Sequence, residues 1–131
     1  TKKAIAEHFN QFTDHVTIIN DCAFVSSGAK HGDGCIFDAD CSVLGMSKLG
    51  NHITVYSNAV VSHHTEIGDY CTICPSATIA GNVKIGSGTF IGCGASVKNG
   101  ITIGNDCIIG AGAVVVHDVA DGMTVKGNPA R

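Results

Sequence analysis

The sequence predicts an all-β protein that winds as a single parallel β-helix of about six triangular turns. Three features of the sequence indicate this fold. An aliphatic residue recurs at every sixth position, a small or β-branched residue follows it four positions later, and no insertion interrupts the pattern. A period of six fits neither an amphipathic helix nor an alternating strand. The central aliphatic column comprises Ile67, Ile73, Ile79, Ile85, Ile91, Val97, Ile103, Ile109 and Val115.

Two inward positions in every six residues imply a short extended segment followed by a corner, and three such segments close one turn of eighteen residues. Successive turns then stack at about the 4.8 Å spacing of paired strands, and each turn buries its neighbour. Glycine often follows the aliphatic residue, where we expect it to give the corner backbone freedom. The small inward positions are Cys71, Ala77, Val83, Thr89, Ala95, Ile101, Cys107, Ala113 and Val119, and the glycines are Gly68, Gly86, Gly92, Gly104 and Gly110.

The chain divides into three segments. Residues 1–12 lack the repeat and have helical spacing of apolar residues, which predicts a short helix or a linker left from an upstream domain. The β-helix occupies residues 13–120, with seventeen consecutive hexads from Ile19 to Ala120. His31 is the one polar residue in the aliphatic column, and we interpret it as a core or distorted-turn histidine. Residues 121–131 leave the repeat and are predicted to form a C-terminal cap.

Composition excludes several classes of protein. A net charge of −3 without a basic run argues against nucleic-acid binding. No apolar stretch approaches the roughly 20 residues that span a bilayer, so we expect no membrane partner.

Seven cysteines raise the question of metal or disulfide chemistry. Four of them fall on the small inward position and are predicted to be core thiols: Cys35, Cys41, Cys71 and Cys107. Cys71 and Cys74 form a CxxC pair, but the repeat directs the first inward and puts the second at a corner, which argues against a shared zinc ion. An odd number of cysteines, in a chain whose thiols look reduced, predicts a cytoplasmic location.

The hexads and the closing segment VKGNPAR resemble the left-handed β-helix of the hexapeptide-repeat acyltransferases. Residues 58–83, NAVVSHHTEIGDYCTICPSATIAGNV, are similar to the subfamily that acetylates nucleotide-linked amino sugars and sialic acids. This resemblance implies left-handed winding and acetyl-CoA-dependent transfer of an acetyl group to an amine or hydroxyl of a sugar or nucleotide-linked sugar. It also implies a homotrimer, with active sites between adjacent coils and no metal.

The residues expected to carry the chemistry lie just after Val61. His63 is the third residue of its hexad, an outward position that burial does not explain. The resemblance makes His63 the general base, a task that suits an imidazole because it is mostly neutral at pH 7 yet accepts a proton. The next residue is usually acidic in the subfamily; here it is His64, which predicts a weaker base or a substitute acid, either Glu66 or Asp69.

The resemblance assigns the other catalytic and cofactor residues by position. Gly81 lies one turn after His63 and corresponds to the residue whose N–H stabilises the oxyanion. Cys93 and Ala111 correspond to positions that line the pantetheine arm of acetyl-CoA, and Thr72 replaces a histidine that contacts the cofactor in some relatives. The predicted cofactor-binding residues are Thr72, Gly92, Cys93, Gly94, Gly110, Ala111 and Lys126.

Two other functions remain open at this stage. A non-catalytic assembly coil would need neither a cofactor groove nor the VKGNPAR segment. A γ-type carbonic anhydrase uses the same coil with three histidines on zinc, but it needs a His-x4-His pair that His52, His63, His64 and His117 do not supply. The acceptor, and the choice between amine and hydroxyl, also stay open.

Overall fold

The computed structural model describes residues 2–9 and 15–131. The chain forms one short α-helix followed by a left-handed, single-stranded parallel β-helix of about six turns, which confirms the predicted fold class. Residues 1 and 10–14, which include the predicted junction between the N-terminal segment and the coil, lie outside the described residues. In the described part of the chain, no helix is long and apolar enough to cross a membrane.

Seventeen two-residue strands alternate with corners along the coil. The elements in chain order are α1 (Lys2–Phe9), β1 (Ile18–Ile19), β2 (Phe24–Val25), β3 (Ile36–Phe37), β4 (Ser42–Val43), β5 (Lys48–Leu49), β6 (Thr54–Val55), β7 (Val60–Val61), β8 (Glu66–Ile67), β9 (Thr72–Ile73), β10 (Thr78–Ile79), β11 (Lys84–Ile85), β12 (Phe90–Ile91), β13 (Ser96–Val97), β14 (Thr102–Ile103), β15 (Ile108–Ile109), β16 (Val114–Val115) and β17 (Thr124–Val125).

The strands form the three sides of a triangular prism. Sheet A contains β1, β3, β6, β9, β12, β15 and β17; sheet B contains β2, β4, β7, β10, β13 and β16; sheet C contains β5, β8, β11 and β14. Neighbouring strands are parallel and usually eighteen residues apart, as in the pairing of Ile79 with Val97. Three edges join the sheets. The histidine edge joins B to C through 45–46, 63–64, 81–82 and 99–100, the cysteine edge joins A to B through 75–76, 93–94 and 111–112, and the Asx edge joins C to A through 51–52, 69–70, 87–88 and 105–106.

The two inward positions of each hexad form the core. Ile73, Ile79 and Ile91 have no exposed surface, and neither do the predicted core thiols. Burying one such aliphatic side chain stabilises the fold by about 1.5–3 kcal/mol. His31 is different, because it is exposed, and its ring lies beside Phe37 at the rim of the core, with 5.2 Å between the ring centroids. The interpretation of His31 as a core residue is therefore wrong: an imidazole can keep its polar atoms in water at this end of the prism.

Polar residues at the small inward position satisfy corner carbonyls. The hydroxyl of Thr65 donates to the Ala80 carbonyl at 3.1 Å, and that of Thr89 donates to the Gly104 carbonyl at 2.8 Å. The Cys71 thiol makes the equivalent contact with the Gly86 carbonyl at 3.1 Å. These corner carbonyls would otherwise be buried without a donor. The inward cysteines thus serve as weak donors as well as compact apolar groups.

The corners require a left-handed residue at a different position from the one predicted. From Gly34 to Gly112 the fourth residue of every hexad has a positive φ, and nine non-glycine residues, including His64 at 58°, accept this conformation. The second-position glycines, such as Gly68, do not have a positive φ. The expectation that they supply corner freedom is therefore wrong, and close approach explains them instead, as shown below for the Asx edge.

The last turn is two residues shorter than the others. Ile103 pairs with Val119 and Ile109 with Val125, sixteen residues apart instead of eighteen. The predicted final hexad, 115–120, therefore has only four residues, and Val119 opens the next hexad instead of filling a small position. Gly122 confirms the new phase, because its positive φ falls on the fourth position counted from Val119. The ladder continues into 121–131, where β17 adds a strand to sheet A.

Along the Asx edge, a side chain on each turn caps the backbone of the turn before it. The Asn51 N–H donates to Asp69 Oδ1 at 2.7 Å, and the Asp69 N–H donates to Ser87 Oγ at 3.0 Å. Each capping side chain crosses the second-position glycine of the preceding turn. A Cβ on Gly68 would lie 2.5 Å from Ser87 Oγ and 2.6 Å from Ser87 N. The glycine column Gly32, Gly50, Gly68, Gly86 and Gly104 is therefore needed for the caps to form.

We predict that Gly68→Ala destabilises the protein by about 1–3 kcal/mol, the usual cost of overpacking, because the added methyl group meets backbone of the next turn. Gly28→Ala is the matched control, since its Cβ would meet nothing closer than 3.7 Å and its φ is ordinary. Urea unfolding followed by circular dichroism measures both variants. Equal midpoints for the two variants would show that the capped edge tolerates a side chain.

The cysteines should differ sharply in reactivity. Cys22 and Cys93 are exposed, whereas the other five are buried. Burial raises the pKa of Cys41 and of Cys74 to about 11, so at pH 8 only about a thousandth of either would be the reactive thiolate. We expect two adducts on the folded chain after brief treatment with iodoacetamide, and seven in guanidinium, by intact-mass spectrometry. Rapid modification of a third cysteine in the folded chain would contradict the predicted protection.

Candidate functional site

The histidine edge holds both of the predicted catalytic side chains, those of His63 and His64. His63 and His64 follow β7 and occupy the third and fourth positions of its corner, and both are exposed. Their Nδ1 atoms lie 3.1 Å apart, within hydrogen-bonding distance. The two rings are almost perpendicular, at 85°, with centroids 5.2 Å apart. An N···N contact of this length requires one nitrogen to carry the proton and the other to accept it.

Gly81 lies directly beside His63, one turn along the coil. Its position is buried, and a Cβ there would fall 2.6 Å from Cε1 and 2.9 Å from Nε2 of His63. Any side chain at residue 81 would therefore displace the imidazole. Among the described residues, nothing accepts a hydrogen bond from the Gly81 N–H. The sequence-predicted trio of His63, His64 and Gly81 thus forms one continuous cluster.

The two carboxylates considered as substitute acids have other partners. Glu66 lies 3.6 Å from Lys48 Nζ on the outer face of sheet C. Asp69 is on the Asx edge, where its Oδ1 accepts the Asn51 N–H. Within the described residues, neither carboxylate contacts His63, and the partner of that imidazole is His64. The hypothesis that Glu66 or Asp69 replaces the usual acid therefore has no contact to support it.

Most of the predicted cofactor residues line the cysteine edge. Cys93 and Ala111 stack one turn apart, and the Gly112 N–H donates to the Cys93 carbonyl at 2.8 Å. The N–H groups of Cys93 and Ala111 donate to no acceptor in the described part of the chain. A Cβ on Gly94 would meet nothing within 4 Å, so the outer side of this edge is open. Exposed peptide groups on an open edge fit an extended, amide-bearing ligand such as a pantetheine arm.

One residue of this edge was not predicted. Cys74 lies beneath it, only 7% exposed, and its pKa is raised first by burial and then by the neighbouring Cys93 thiol. Cys74 lies eighteen residues, or one turn, before the predicted cofactor-binding residue Gly92. This spacing could have identified Cys74 as a neighbour of the cofactor edge from the sequence.

The C-terminal segment folds back onto this end of the coil. The Lys126 N–H donates to the Arg131 carbonyl, and the Arg131 N–H donates to the Lys126 carbonyl, each at 3.1 Å. The Ala130 N–H donates to the Val114 carbonyl at 2.8 Å. A Cβ on Gly110 would approach Lys126 Cβ to 2.9 Å, so Lys126 stands next to the predicted cofactor glycines.

One protomer does not unite the two groups of predicted residues. His63 is on the histidine edge and Cys93 is on the cysteine edge, with the whole width of sheet B between them. Consecutive corners are six residues apart along the chain, which corresponds to at most about 20 Å of extended backbone. Thr72 is apart from both groups, on the outer face of sheet A between Thr54 and Phe90.

A concave surface elsewhere on the coil does not coincide with either group. It has a volume of about 680 Å³ and runs along the outer face of sheet C, over the glycine column and beside Lys48, Glu66 and Lys84. Glu66, which was considered as a substitute acid, lines this surface, whereas His63, His64, Gly81 and the predicted cofactor-binding residues do not. We place the candidate site at the histidine edge, because that edge holds the side chains capable of proton transfer. Within residues 2–9 and 15–131, no group of three His, Cys, Asp or Glu side chains could hold a metal ion.

A comparison with known protein families agrees with the six-residue repeat of the sequence. The sequence pattern of the bacterial transferase hexapeptide family (six repeats) matches residues 46–81 and again 82–117, more than half of the chain. No curated protein matches the chain significantly by sequence.

Several solved structures share the whole fold. PerB from Caulobacter crescentus, in complex with CoA and GDP-perosamine, has a TM-score of 0.95 and 34% identity over 99% of this chain. The acetyltransferase domain of PglB from Neisseria gonorrhoeae, in complex with acetyl coenzyme A, has a TM-score of 0.95 and 35% identity over 98% of this chain. WeeI from Acinetobacter baumannii has a TM-score of 0.95 and 29% identity over 99% of this chain.

The chain spans 63% of the length of PerB and of PglB, and 64% of that of WeeI. The repeat, the fold and the match to the family pattern agree with one another. The chain belongs to the bacterial transferase hexapeptide family.

Proposed function

We propose that this protein is an acetyl-CoA-dependent acetyltransferase that acetylates an amine of a sugar or nucleotide-linked sugar. The observation that carries the proposal is the His63 imidazole lying against Gly81, whose N–H is free. Such a pair supplies a base and an oxyanion donor within a few ångströms. The likeness to PerB, solved with CoA and GDP-perosamine, supports both the cofactor and the class of acceptor.

In the proposed reaction, His63 is the general base and Gly81 the oxyanion donor. Bound acetyl-CoA supplies the acetyl group as a thioester. His63 Nε2 takes a proton from the acceptor amine as its nitrogen attacks the thioester carbon, and the Gly81 N–H donates to the oxygen that gains negative charge. A positioned base contributes about 10²- to 10⁴-fold to the rate, and one oxyanion donor about 10²- to 10³-fold.

The cysteine edge is the proposed cofactor surface. Among the described residues, the N–H groups of Cys93 and Ala111 have no acceptor, and at successive turns they would bind the pantetheine carbonyls. Lys126 stands at the same end of the coil, where a cation would meet the cofactor phosphates. Thr72 has no imidazole to offer, so any contact from this position must use its hydroxyl group.

A homotrimer would complete this site, because the base and the cofactor edge are far apart in one protomer. Sheet A also carries two separate exposed apolar pairs, Ile18 with Ile36 and Phe90 with Ile108. These four side chains are 42–59% exposed, and association would bury them. In the proposed trimer, His63 of one chain faces the cysteine edge of a neighbour.

We predict that His63→Gln lowers thiol release from acetyl-CoA at least a hundredfold with an accepted amino sugar, because glutamine cannot take the proton. Acetyl-CoA binding, measured by calorimetry, should be unchanged. His117→Gln is the matched control, since His117 is an exposed histidine further along the chain and away from Gly81. It should keep the wild-type rate.

The same assay can reject the proposal. If wild-type protein neither binds acetyl-CoA nor releases thiol with any amino sugar or nucleotide conjugate, the coil is non-catalytic. Full activity of His63→Gln would instead retain the transferase and remove His63 as its base.

The shared site makes a second prediction. His63→Gln and Ala111→Glu should each be inactive, the first without a base and the second with a carboxylate on the cofactor edge. Mixing the two after reversible dissociation should restore activity in about a quarter of the sites, where each chain supplies its intact half. Light scattering should give three chains of 13.4 kDa. Absence of recovery in mixed trimers would show that the base and the cofactor edge of one site do not come from different chains.

A further inference from the structure

We infer that His64 is a positioning residue that accepts the Nδ1 proton of His63 and thereby keeps Nε2 of His63 free to act as the base. This inference rests on the proposed function for the role of His63. It gives a neutral imidazole the place that an acidic residue was expected to hold.

The geometry of the pair carries the inference. The Nδ1 atoms lie 3.1 Å apart, so one of them donates and the other is bare. The Cε1–Nε2 side of His63 faces Gly81, where the free N–H is. If His63 donates through Nδ1, its remaining lone pair is on Nε2, beside the oxyanion donor. The reverse arrangement would put a proton on Nε2 and block the base.

The corner itself holds His64 in place. His64 has a φ of 58°, the left-handed conformation that the fourth position adopts throughout the coil. At this corner its ring lies almost perpendicular to that of His63, and the two Nδ1 atoms are within hydrogen-bonding distance. The charged side chains on the strands that flank the corner are Lys48, Glu66 and Lys84 on sheet C, together with Lys98 after β13. Among the described residues, none of these makes an ion pair or a hydrogen bond with either imidazole.

The proton balance of the reaction is simple. The C–N bond forms, the C–S bond breaks, and the amine proton passes through His63 Nε2 to the thiolate sulfur. The Nδ1 proton stays between the two rings while His63 is transiently cationic, and the bare nitrogen of His64 stabilises that charge. A proton on His64 Nδ1 would remove the acceptor, because two protonated Nδ1 atoms cannot form this bond.

The experiment compares His64→Gly with His64→Asn in the full-length chain. Glycine removes the acceptor and relaxes a positive-φ position, so stability should not fall. Asparagine tolerates the same conformation and offers a carbonyl oxygen. We expect His64→Gly to lower kcat at least tenfold with little change in KM, imidazole in the buffer to restore part of the rate, and His64→Asn to keep most of it. Asp106→Gly, another positive-φ residue, on the Asx edge, is the control for backbone relaxation.

Nitrogen NMR of the resting protein gives a readout independent of activity. His63 should carry its proton on Nδ1 in the wild type and in His64→Asn, and shift toward the Nε2 form in His64→Gly. A wild-type His63 protonated on Nε2 would overturn the inference, even if the enzyme is active. Wild-type activity that needs His63 but is unchanged in His64→Gly would overturn it too, while leaving the proposed function intact. If no activity is found at all, the proposed function fails and the NMR result alone decides the pairing.

Discussion

The stacking of one turn on the next controls everything else in this protein. The parallel ladder aligns residues that are eighteen apart, so a side chain at one corner has a fixed neighbour on the same edge one turn later. Ile79 above Val97 is one result in the core, and His63 beside Gly81 is another at the surface. From Ile109 to Val125 the spacing falls to sixteen residues. The two residues still pair in the parallel ladder, so an aliphatic side chain again stacks on an aliphatic side chain.

The repeat was predictable from sequence because it depends on which residues are apolar, and the core follows directly from that pattern. The role of the second-position glycines was not. A period reveals that Gly68 recurs with Gly86, but not that Ser87 crosses over it to cap the preceding turn. Likewise, Val119 fits the small position eighteen residues after Ile101 and the aliphatic position sixteen residues after Ile103. Its hydrogen bonds with Thr102 and Gly104 show that it pairs with Ile103.

In the candidate site, too, the repeat determines some contacts between residues and leaves others undetermined. Stacking arithmetic puts Gly81 next to His63 and Ala111 next to Cys93, and the structure brings both pairs together. The contact between His63 and His64 has no such rule, because it depends on how two adjacent rings turn at one corner. A separation of about one prism side between the two edges follows from the triangle, and it is the reason that a second chain enters the proposed site.

The corner geometry also explains why a base at the third position has a donor nearby. At that position the N–H cannot join the ladder, and on the Asx edge the next turn caps it with Asn51, Asp69, Ser87 or Asn105. On the histidine edge, the cap for Gly81 would have to come from Asn99, which makes no such hydrogen bond in the described part of the chain. The coil thus generates a potential oxyanion donor at each corner. On the Asx edge the side chain eighteen residues later occupies that donor, whereas the Ala39 N–H is occupied by Asp38 Oδ1 at 2.8 Å. A histidine placed one turn before an uncapped glycine is therefore enough to put a base and a donor side by side, without any loop inserted into the fold.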